Sequence, residues 1–280
     1  MSLRRLFLAA AATIVLVAGC ESSAPSPPPA STSSAPANAW PSGALVDLSH
    51  AYDERTVFWP TAERFELTKV ADGVTPQGYY YAANTFRTSE HGGTHIDSPV
   101  HFAKNGWTVD QIPLDRLIAP AVVIDVTQAS GANADYQISK ADFDAWERAH
   151  GRIPDGVIVL LHTGYGARWP DAARYLGTAE RGDAAVAKLH FPGLHPDAAR
   201  WLVAERSIKS IGLDTASIDF GQSKLYESHR VLYEKNIPAF ENLTNLDRLP
   251  PTGARLVALP MKIGGGSGGP LRAVALLPAR

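Results

Sequence analysis

Five apolar runs separated by segments with a helical pattern constrain the fold of this 280-residue chain more than any other feature. The runs cover residues 44–50, 121–126, 156–164, 207–214 and 254–263, and each has the length and composition of a β-strand. Between them, residues 139–151 and 195–206 predict helices, since Ser139 is a typical N-cap and Pro196 is typical of a first turn. Because strands alternate with helices and the strand interiors are apolar, the sequence predicts an α/β domain with a buried mixed sheet.

The first 20 residues have the pattern of an export signal. Two arginines precede an apolar run from Leu6 to Val17, which is shorter than the roughly 20 residues that a transmembrane helix needs. The ending Val17-Ala18-Gly19-Cys20 resembles a bacterial lipobox, and this resemblance implies lipidation of Cys20. An ordinary cleaved signal with an incidental cysteine is the alternative interpretation.

Residues 21–40 consist mainly of Ser, Pro and Ala. A segment of this composition has too little apolar surface to offset the entropy of ordering, which predicts a disordered tether. A tether after a lipidated cysteine would hold an exported domain, residues 41–280, at the bacterial cell envelope. The formal net charge of -2 gives no basis for a nucleic-acid partner, and the lipid anchor would be the only membrane contact.

The stretch HGGTHIDSPVHF, residues 91–102, carries three histidines and an aspartate. His91 and His95 have the spacing of a zinc-binding helix, but each of the two glycines between them disfavours a helix by roughly 1 kcal/mol. A loop that leads into an extended segment fits better, and in an extended segment His95 and Asp97 project to the same side. The glycines would let His91 fold back to meet them, and Pro99 would fix the turn that carries His101.

Two imidazoles and a carboxylate form a mixed donor set. Such a set suits Zn, Mn, Fe or Co, and three protein ligands leave a coordination position open for water. Unrelated surface histidines are the alternative interpretation, but the dense spacing favours a metal site.

The same stretch closely resembles the HxGTHxDxPxHF signature of the cyclase-like metal-dependent hydrolases, the family that includes bacterial kynurenine formamidase (arylformamidase) and isatin hydrolase. Residues 192–219, 241–253 and 259–276 resemble three further segments of that family. The resemblance extends from about residue 44 to the end of the chain.

The resemblance implies a role for each matched residue. His101 would be the catalytic acid/base. From the residues alone, His229 would lie on a helix surface and Glu241 would be a charged residue of a loop. Only the resemblance identifies the two as metal ligands. The metal ligands that it implies are His91, His95, Asp97, His229 and Glu241.

The resemblance also implies a fold, a cofactor and an assembly. The family's fold is a compact α/β domain with a mixed sheet, described as a swivelling β/β/α arrangement, and its members usually form homo-oligomers, here a dimer or a tetramer. The cofactor would be a divalent metal, zinc or manganese, with one or two ions per subunit.

The implied reaction is hydrolysis of the amide bond of a small aryl substrate by metal-activated water, with His101 transferring the proton. The substrate would be linear N-formylkynurenine, an intermediate of tryptophan catabolism, or cyclic isatin, and residues 214–237 are slightly closer to the isatin-hydrolase branch. Phe58 and Trp59 match an aromatic position of the substrate pocket, although core packing would explain them equally well. The glycine-rich residues 264–269 would either bring backbone N–H groups to the substrate or form a flexible hairpin.

A metal- or solute-binding lipoprotein of the cell envelope without catalytic activity is the alternative function. Three ligands suffice to bind a metal, so a fourth histidine beside them, His101, favours catalysis. His162 and His195 stand where other residues are common in the family, and we expect structural roles for both.

Overall fold

An eight-stranded mixed sheet lies at the centre of the computed structural model, which describes residues 43–279. The predicted signal peptide, Cys20 and the predicted tether lie outside these residues. The strands of the described part are β1 (Leu45–Asp47), β2 (Glu66–Val74), β3 (Tyr80–Arg87), β4 (His95–Asp97), β5 (Ile118–Asp125), β6 (Gln137–Ile138), β7 (Ile158–His162), β8 (Gly193–Leu194), β9 (Ser210–Leu213), β10 (Ala239–Glu241), β11 (Ala254–Pro260) and β12 (Gly268–Leu276).

The large sheet closes on itself like a barrel. Its strand order is β1-β12-β11-β5-β7-β9-β10-β4, and β4 also pairs with β12. The neighbours β5, β7, β9 and β10 are parallel, whereas β1, β11, β12 and β4 pair in antiparallel fashion. The short strand β4 therefore closes the sheet, and it carries two of the predicted metal ligands.

The parallel strands are buried on both faces. Along β5 and β7, Val122, Ile124 and Val159 contribute to one core cluster, while Val123 and Leu160 contribute to the other. Successive side chains of a strand point to opposite faces, so a strand covered on both sides reads as a continuous apolar run. This burial is the physical reason that these segments were recognisable in the sequence.

The three longest helices contribute their buried apolar side chains to the core cluster that contains Val122. The α-helices of the described part are α1 (Leu114–Leu117), α2 (Thr127–Ala132), α3 (Lys140–His150), α4 (Ala172–Leu176), α5 (Asp183–Val186), α6 (Pro196–Glu205) and α7 (Glu227–Tyr233). Ser139 caps α3 in a capping box with Asp142, and Gly151 ends it at a positive φ of 86°, which glycine adopts readily. The predicted α/β class, the five strands and the two helices are confirmed; four of the strands are shorter than predicted, whereas β5 begins three residues earlier, at Ile118.

A second sheet, formed by β2 and β3 alone, was not predicted from the sequence. Nearly every residue of these two strands is exposed, so the hairpin lacks the burial that produces a recognisable apolar pattern. In the described part of the chain, no helix combines the length and the apolar character that crossing a membrane requires.

Candidate metal centre

Strand β4 holds His95 and Asp97 on the same side, as expected for residues two apart in extended chain. The Nε2 atom of His95 lies 3.1 Å from Oδ1 of Asp97. His91 reaches the same oxygen from the preceding loop, with its Nδ1 atom 2.7 Å away. Two imidazole nitrogens thus converge on one buried carboxylate oxygen.

The two glycines explain how His91 turns back toward β4. Gly93 has a φ of 57°, in the left-handed region that favours glycine, and a Cβ there would lie 2.5 Å from the Tyr52 ring. A Cβ at Gly92 would lie 2.0 Å from the Phe58 ring. Side chains at either position would therefore collide with aromatic rings that pack on this loop.

His101 ends a 3-10 turn, Pro99–His101, that directly follows β4. Its ring stacks on the His91 ring with centroids 3.9 Å apart and an interplanar angle of 19°. Although part of the residue is exposed to solvent, desolvation of the ring by the surrounding pocket lowers the pKa of His101 to about 4. The ring is therefore neutral at neutral pH and available to accept a proton.

Tertiary structure brings two distant residues to the same site. Glu241 is the residue opposite His95 in the pairing of β10 with β4, and its Oε2 lies 3.5 Å from Nε2 of His95. His229, on α7, points Nε2 toward Oε1 of Glu241 at 3.2 Å and toward Oδ2 of Asp97 at 3.4 Å. Both residues are 3% exposed, so the expectation from the residues alone, a helix surface and a loop charge, was wrong.

Sequence reasoning missed two residues that support this group. Asp219 lies 2.5 Å from Nδ1 of His229 and also accepts a hydrogen bond from its backbone N–H. Tyr233 donates its hydroxyl hydrogen to Oδ2 of Asp97 at 2.9 Å. Tyr233 follows His229 by four residues on α7, and this spacing, which places both on one helix face, was the available signal.

The ionisable groups of the site perturb one another strongly. Burial opposes ionisation of Asp97, but the histidines at 91, 229 and 95 outweigh it and hold the pKa of Asp97 well below its usual range. Burial and the neighbouring Asp97 carboxylate raise the pKa of Glu241. Burial likewise disfavours protonation of His95 and His229, yet their carboxylate partners raise both pKa values. The site therefore favours positive charge between its carboxylates.

The donor set fits a divalent cation. The ion-pair partners of Asp97 and Glu241 are histidines, so no lysine or arginine among residues 43–279 pairs with either carboxylate in place of an ion. Two groups of donor atoms each lie within 4.8 Å, one from His91, Asp97 and His101 and one from His95, Asp97 and Glu241. Imidazole nitrogens with carboxylate oxygens suit zinc or manganese.

A cavity of about 330 Å³ opens above these donors. Phe58 and Trp59 both line it, together with Phe102, Ala216 and Tyr226. Phe58 is also a core residue at 4% exposure, and Trp59 packs edge-on against Phe191, with ring centroids 6.3 Å apart. Core packing and pocket lining therefore do not exclude each other for Phe58 and Trp59, because the same side chains pack inward and form the pocket wall.

His162 and His195, for which we expected structural roles, do not line the cavity. His162 lies 3.7 Å from Asp125 at the end of β7, and His195 caps α6 through Nδ1. None of the glycine-rich residues 264–269 is among the residues that line the cavity, all of which are described.

Comparisons with known proteins identify the family. A family model described as Cyclase, "Putative cyclase", matches residues 46–220, which is more than half of the chain. The chain belongs to the Cyclase family.

Similar members of the Cyclase family include two kinds of hydrolase. Isatin hydrolase of Roseibium aggregatum is 34% identical over 230 residues, which cover 79% of this chain and 84% of that protein. Kynurenine formamidase of Salinibacter ruber is 29% identical over 235 residues, covering 82% and 96%. The solved structure of isatin hydrolase A from Ralstonia solanacearum superposes with a TM-score of 0.76 at 35% identity, covering 84% of this chain and 92% of that one.

Proposed function

We propose that this Cyclase-family protein is a metal-dependent hydrolase that opens the amide bond of a neutral, cyclic aryl substrate such as isatin. The observation that carries the proposal is the convergence of His91, His95 and Asp97 at the base of an aromatic cavity. Zinc or manganese, as one or two ions per subunit, is the proposed cofactor.

Each part of the site has a task in this reaction. When bound, the ion supplies a Lewis acid that activates water and polarises a carbonyl group. His101, neutral and stacked on His91, takes the proton of the attacking water and returns it to the leaving nitrogen. The rings of Phe58, Trp59 and Tyr226 exclude bulk water and pack against a planar substrate.

The cavity wall favours isatin over N-formylkynurenine. N-formylkynurenine carries an amino-acid group, whose carboxylate would need a cationic partner to leave water. The cavity lining contains no lysine or arginine, and its charged side chains are the carboxylates and histidines of the metal centre. Isatin is neutral and planar, so contacts with the aromatic walls and with the metal centre are sufficient to bind it.

Parallel kinetic assays test this proposal. The purified protein is loaded with zinc and, separately, with manganese, and the kcat/KM is measured on isatin and on N-formylkynurenine. We expect isatin to be hydrolysed with at least about tenfold higher kcat/KM, since an unpaired buried charge costs more than 1.4 kcal/mol. A preference for N-formylkynurenine would overturn the substrate, and activity on neither with bound metal would overturn the reaction.

We also propose that the protein forms a homo-oligomer, a dimer or a tetramer, through the β2–β3 hairpin. An isolated two-stranded hairpin is marginally stable in water, and this one exposes large apolar side chains on both faces. The exposed side chains are Leu67, Val70, Val74, Tyr79, Tyr80, Tyr81 and Phe86.

The exposed area is suited to a second copy of the chain. The four aromatic rings of the hairpin are between 49% and 64% exposed. Covering them would remove on the order of 400 Å² from water, about half of the roughly 800 Å² that each partner buries in a stable interface. The three aliphatic side chains and the outer edges of both strands, which pair with no other strand within residues 43–279, supply the remainder.

Export with a lipid anchor at Cys20 is a further proposal, supported by the lipobox-like ending of the first 20 residues. A Cys20→Ser variant should remain as unprocessed precursor or appear in the soluble fraction. Unchanged membrane fractionation, with no lipid detected on the wild-type protein by mass spectrometry, would contradict the anchor.

A further inference from the structure

The glycine-rich loop, residues 264–269, packs against the side of His91 that faces away from Asp97. Ser267 Oγ lies 2.9 Å from Nε2 of His91 and 2.6 Å from Oε2 of Glu90. The backbone N–H of Ser267 donates to the same Glu90 oxygen at 3.0 Å. Glu90, Ser267 and His91 thus form a continuous hydrogen-bonded chain.

The direction of this chain follows from the donors available. A carboxylate accepts hydrogen bonds and donates none, and a serine hydroxyl has a single hydrogen. Ser267 therefore donates to Glu90, and its oxygen accepts the hydrogen on Nε2 of His91. This arrangement places a hydrogen on Nε2 of His91 and leaves Nδ1, which faces Oδ1 of Asp97 at 2.7 Å, as the ring nitrogen that can bind a metal ion.

Glycines allow the loop to approach this closely. A Cβ at Gly266 would lie 2.7 Å from Oε1 of Glu90, and a Cβ at Gly268 would lie 2.6 Å from Cε1 of His91. The loop is also fixed by backbone hydrogen bonds from Ser98 and Val109 to the carbonyl oxygens of Ser267 and Gly266, both at 2.9 Å. The loop is therefore docked on the metal centre, rather than free to move as a hairpin.

We infer that Glu90 and Ser267 are positioning residues, which hold Nδ1 of His91 toward the metal by fixing the hydrogen on Nε2. The inference rests on the proposed metal site, in which His91 is a ligand. Partners on the second ring nitrogen orient a ligand histidine and raise its basicity, and their loss typically weakens metal affinity by about 10- to 100-fold.

Zinc affinity tests the chain directly. Competition with a chromophoric chelator is measured for wild type, Ser267→Ala, Glu90→Ala and the double variant, with Ser130→Ala as the control. Ser130 is buried, and its hydroxyl has no hydrogen-bond partner. We expect each single variant to bind zinc about 10- to 100-fold more weakly, the double variant to be no weaker than the worse single one, and the control to match wild type.

The possible failures are distinguishable. Wild type that binds no zinc would contradict the proposed metal site itself. Wild type that binds zinc, with Ser267→Ala binding it equally well, would leave the metal site standing and overturn the positioning role.

A spectroscopic measurement needs no variant and separates positioning from loop stability. In the zinc-loaded wild-type protein with ¹⁵N-labelled histidine, the ring nitrogens of His91 should show Nδ1 coordinated and Nε2 bearing hydrogen. Coordination through Nε2 would overturn the inference, whatever effect the substitutions have on folding.

Discussion

Tyr233 donates a hydrogen bond to Oδ2 of Asp97 at 2.9 Å, and this contact leaves Oδ1 directed at His91 and His95. Both residues are buried, so the orientation of the carboxylate depends on its protein partners. The tyrosine on α7 therefore sets the orientation of the carboxylate on β4.

Replacing Tyr233 with phenylalanine should weaken metal binding without unfolding the protein. The substitution removes one hydrogen bond to a buried carboxylate and keeps the ring that packs beside His229. We expect the metal affinity to fall about tenfold, measured by chelator competition. An unchanged affinity would show that Asp97 is oriented by its histidine contacts alone.

His101→Ala should separate catalysis from binding. If His101 moves protons and does not hold the metal, the variant keeps its metal and fold, while turnover falls by about 10²–10⁴-fold. Metal content, thermal midpoint and turnover are measured on one sample, with His95→Ala as the comparison that should lose metal and turnover together. Normal turnover of His101→Ala, or metal loss equal to that of His95→Ala, would contradict the role.

Two glycines of the same loop should differ in their response to substitution by alanine. At Gly268 the new Cβ would lie 2.6 Å from both His91 and the backbone oxygen of Ile96, whereas at Gly264 nothing lies within 4 Å. We expect Gly268→Ala to lower the free energy of unfolding by about 1–3 kcal/mol and to weaken zinc binding. Gly264→Ala should match wild type in denaturant melts and in zinc titrations, and equal behaviour of the two variants would refute the close packing.

His50 should make the protein less stable in mild acid. Its ring stacks on Trp169 at 4.1 Å, its Nε2 is buried without a partner, and burial lowers its pKa to about 4 despite the opposing charge of Asp47. The unfolded state, with a pKa near 6.5, binds a proton first, so the stabilisation is complete above about pH 6.5 and is lost as the pH falls toward 4.

A His50→Phe variant keeps a stacked ring and cannot titrate. The difference in free energy of unfolding between wild type and this variant, measured by denaturant melts from pH 7.5 to 4, isolates the histidine from the metal centre. We expect the wild type to lose stability relative to the variant by up to about 1.4 kcal/mol per pH unit in that window. Parallel pH profiles would show that His50 titrates normally in the folded protein.

Charge on the hairpin should dissociate the proposed oligomer. Leu67→Lys combined with Val74→Lys puts two cations among the exposed apolar side chains of β2, whereas Leu114→Lys, at an exposed position outside the hairpin, is the matched control. Sedimentation equilibrium should show a smaller species for the double variant only. A monomeric wild type, or an oligomer insensitive to both changes, would place the hairpin outside any interface.

Local signals in the sequence were sufficient for much of the fold. Ser139 and Gly151 mark the ends of α3 because capping depends on residues within one turn. The apolar runs of β5 and β7 were visible because burial on both faces removes polar residues from the strand. The hairpin of β2 and β3 gave no such signal, since neither face packs on a core.

The residues of the candidate site also form two groups, one recognisable from local sequence and one assembled by the tertiary structure. The sequence by itself determined that His91, His95, Asp97 and His101 lie together, because extended chain and two glycines relate residues only a few positions apart. Only the tertiary structure decided that Glu241 lies opposite His95, that α7 brings His229 and Tyr233 against Asp97, and that Ser267 contacts His91. Those contacts depend on strand register and on closure of the sheet through β4, which are set by packing across the whole domain and not by neighbouring residues.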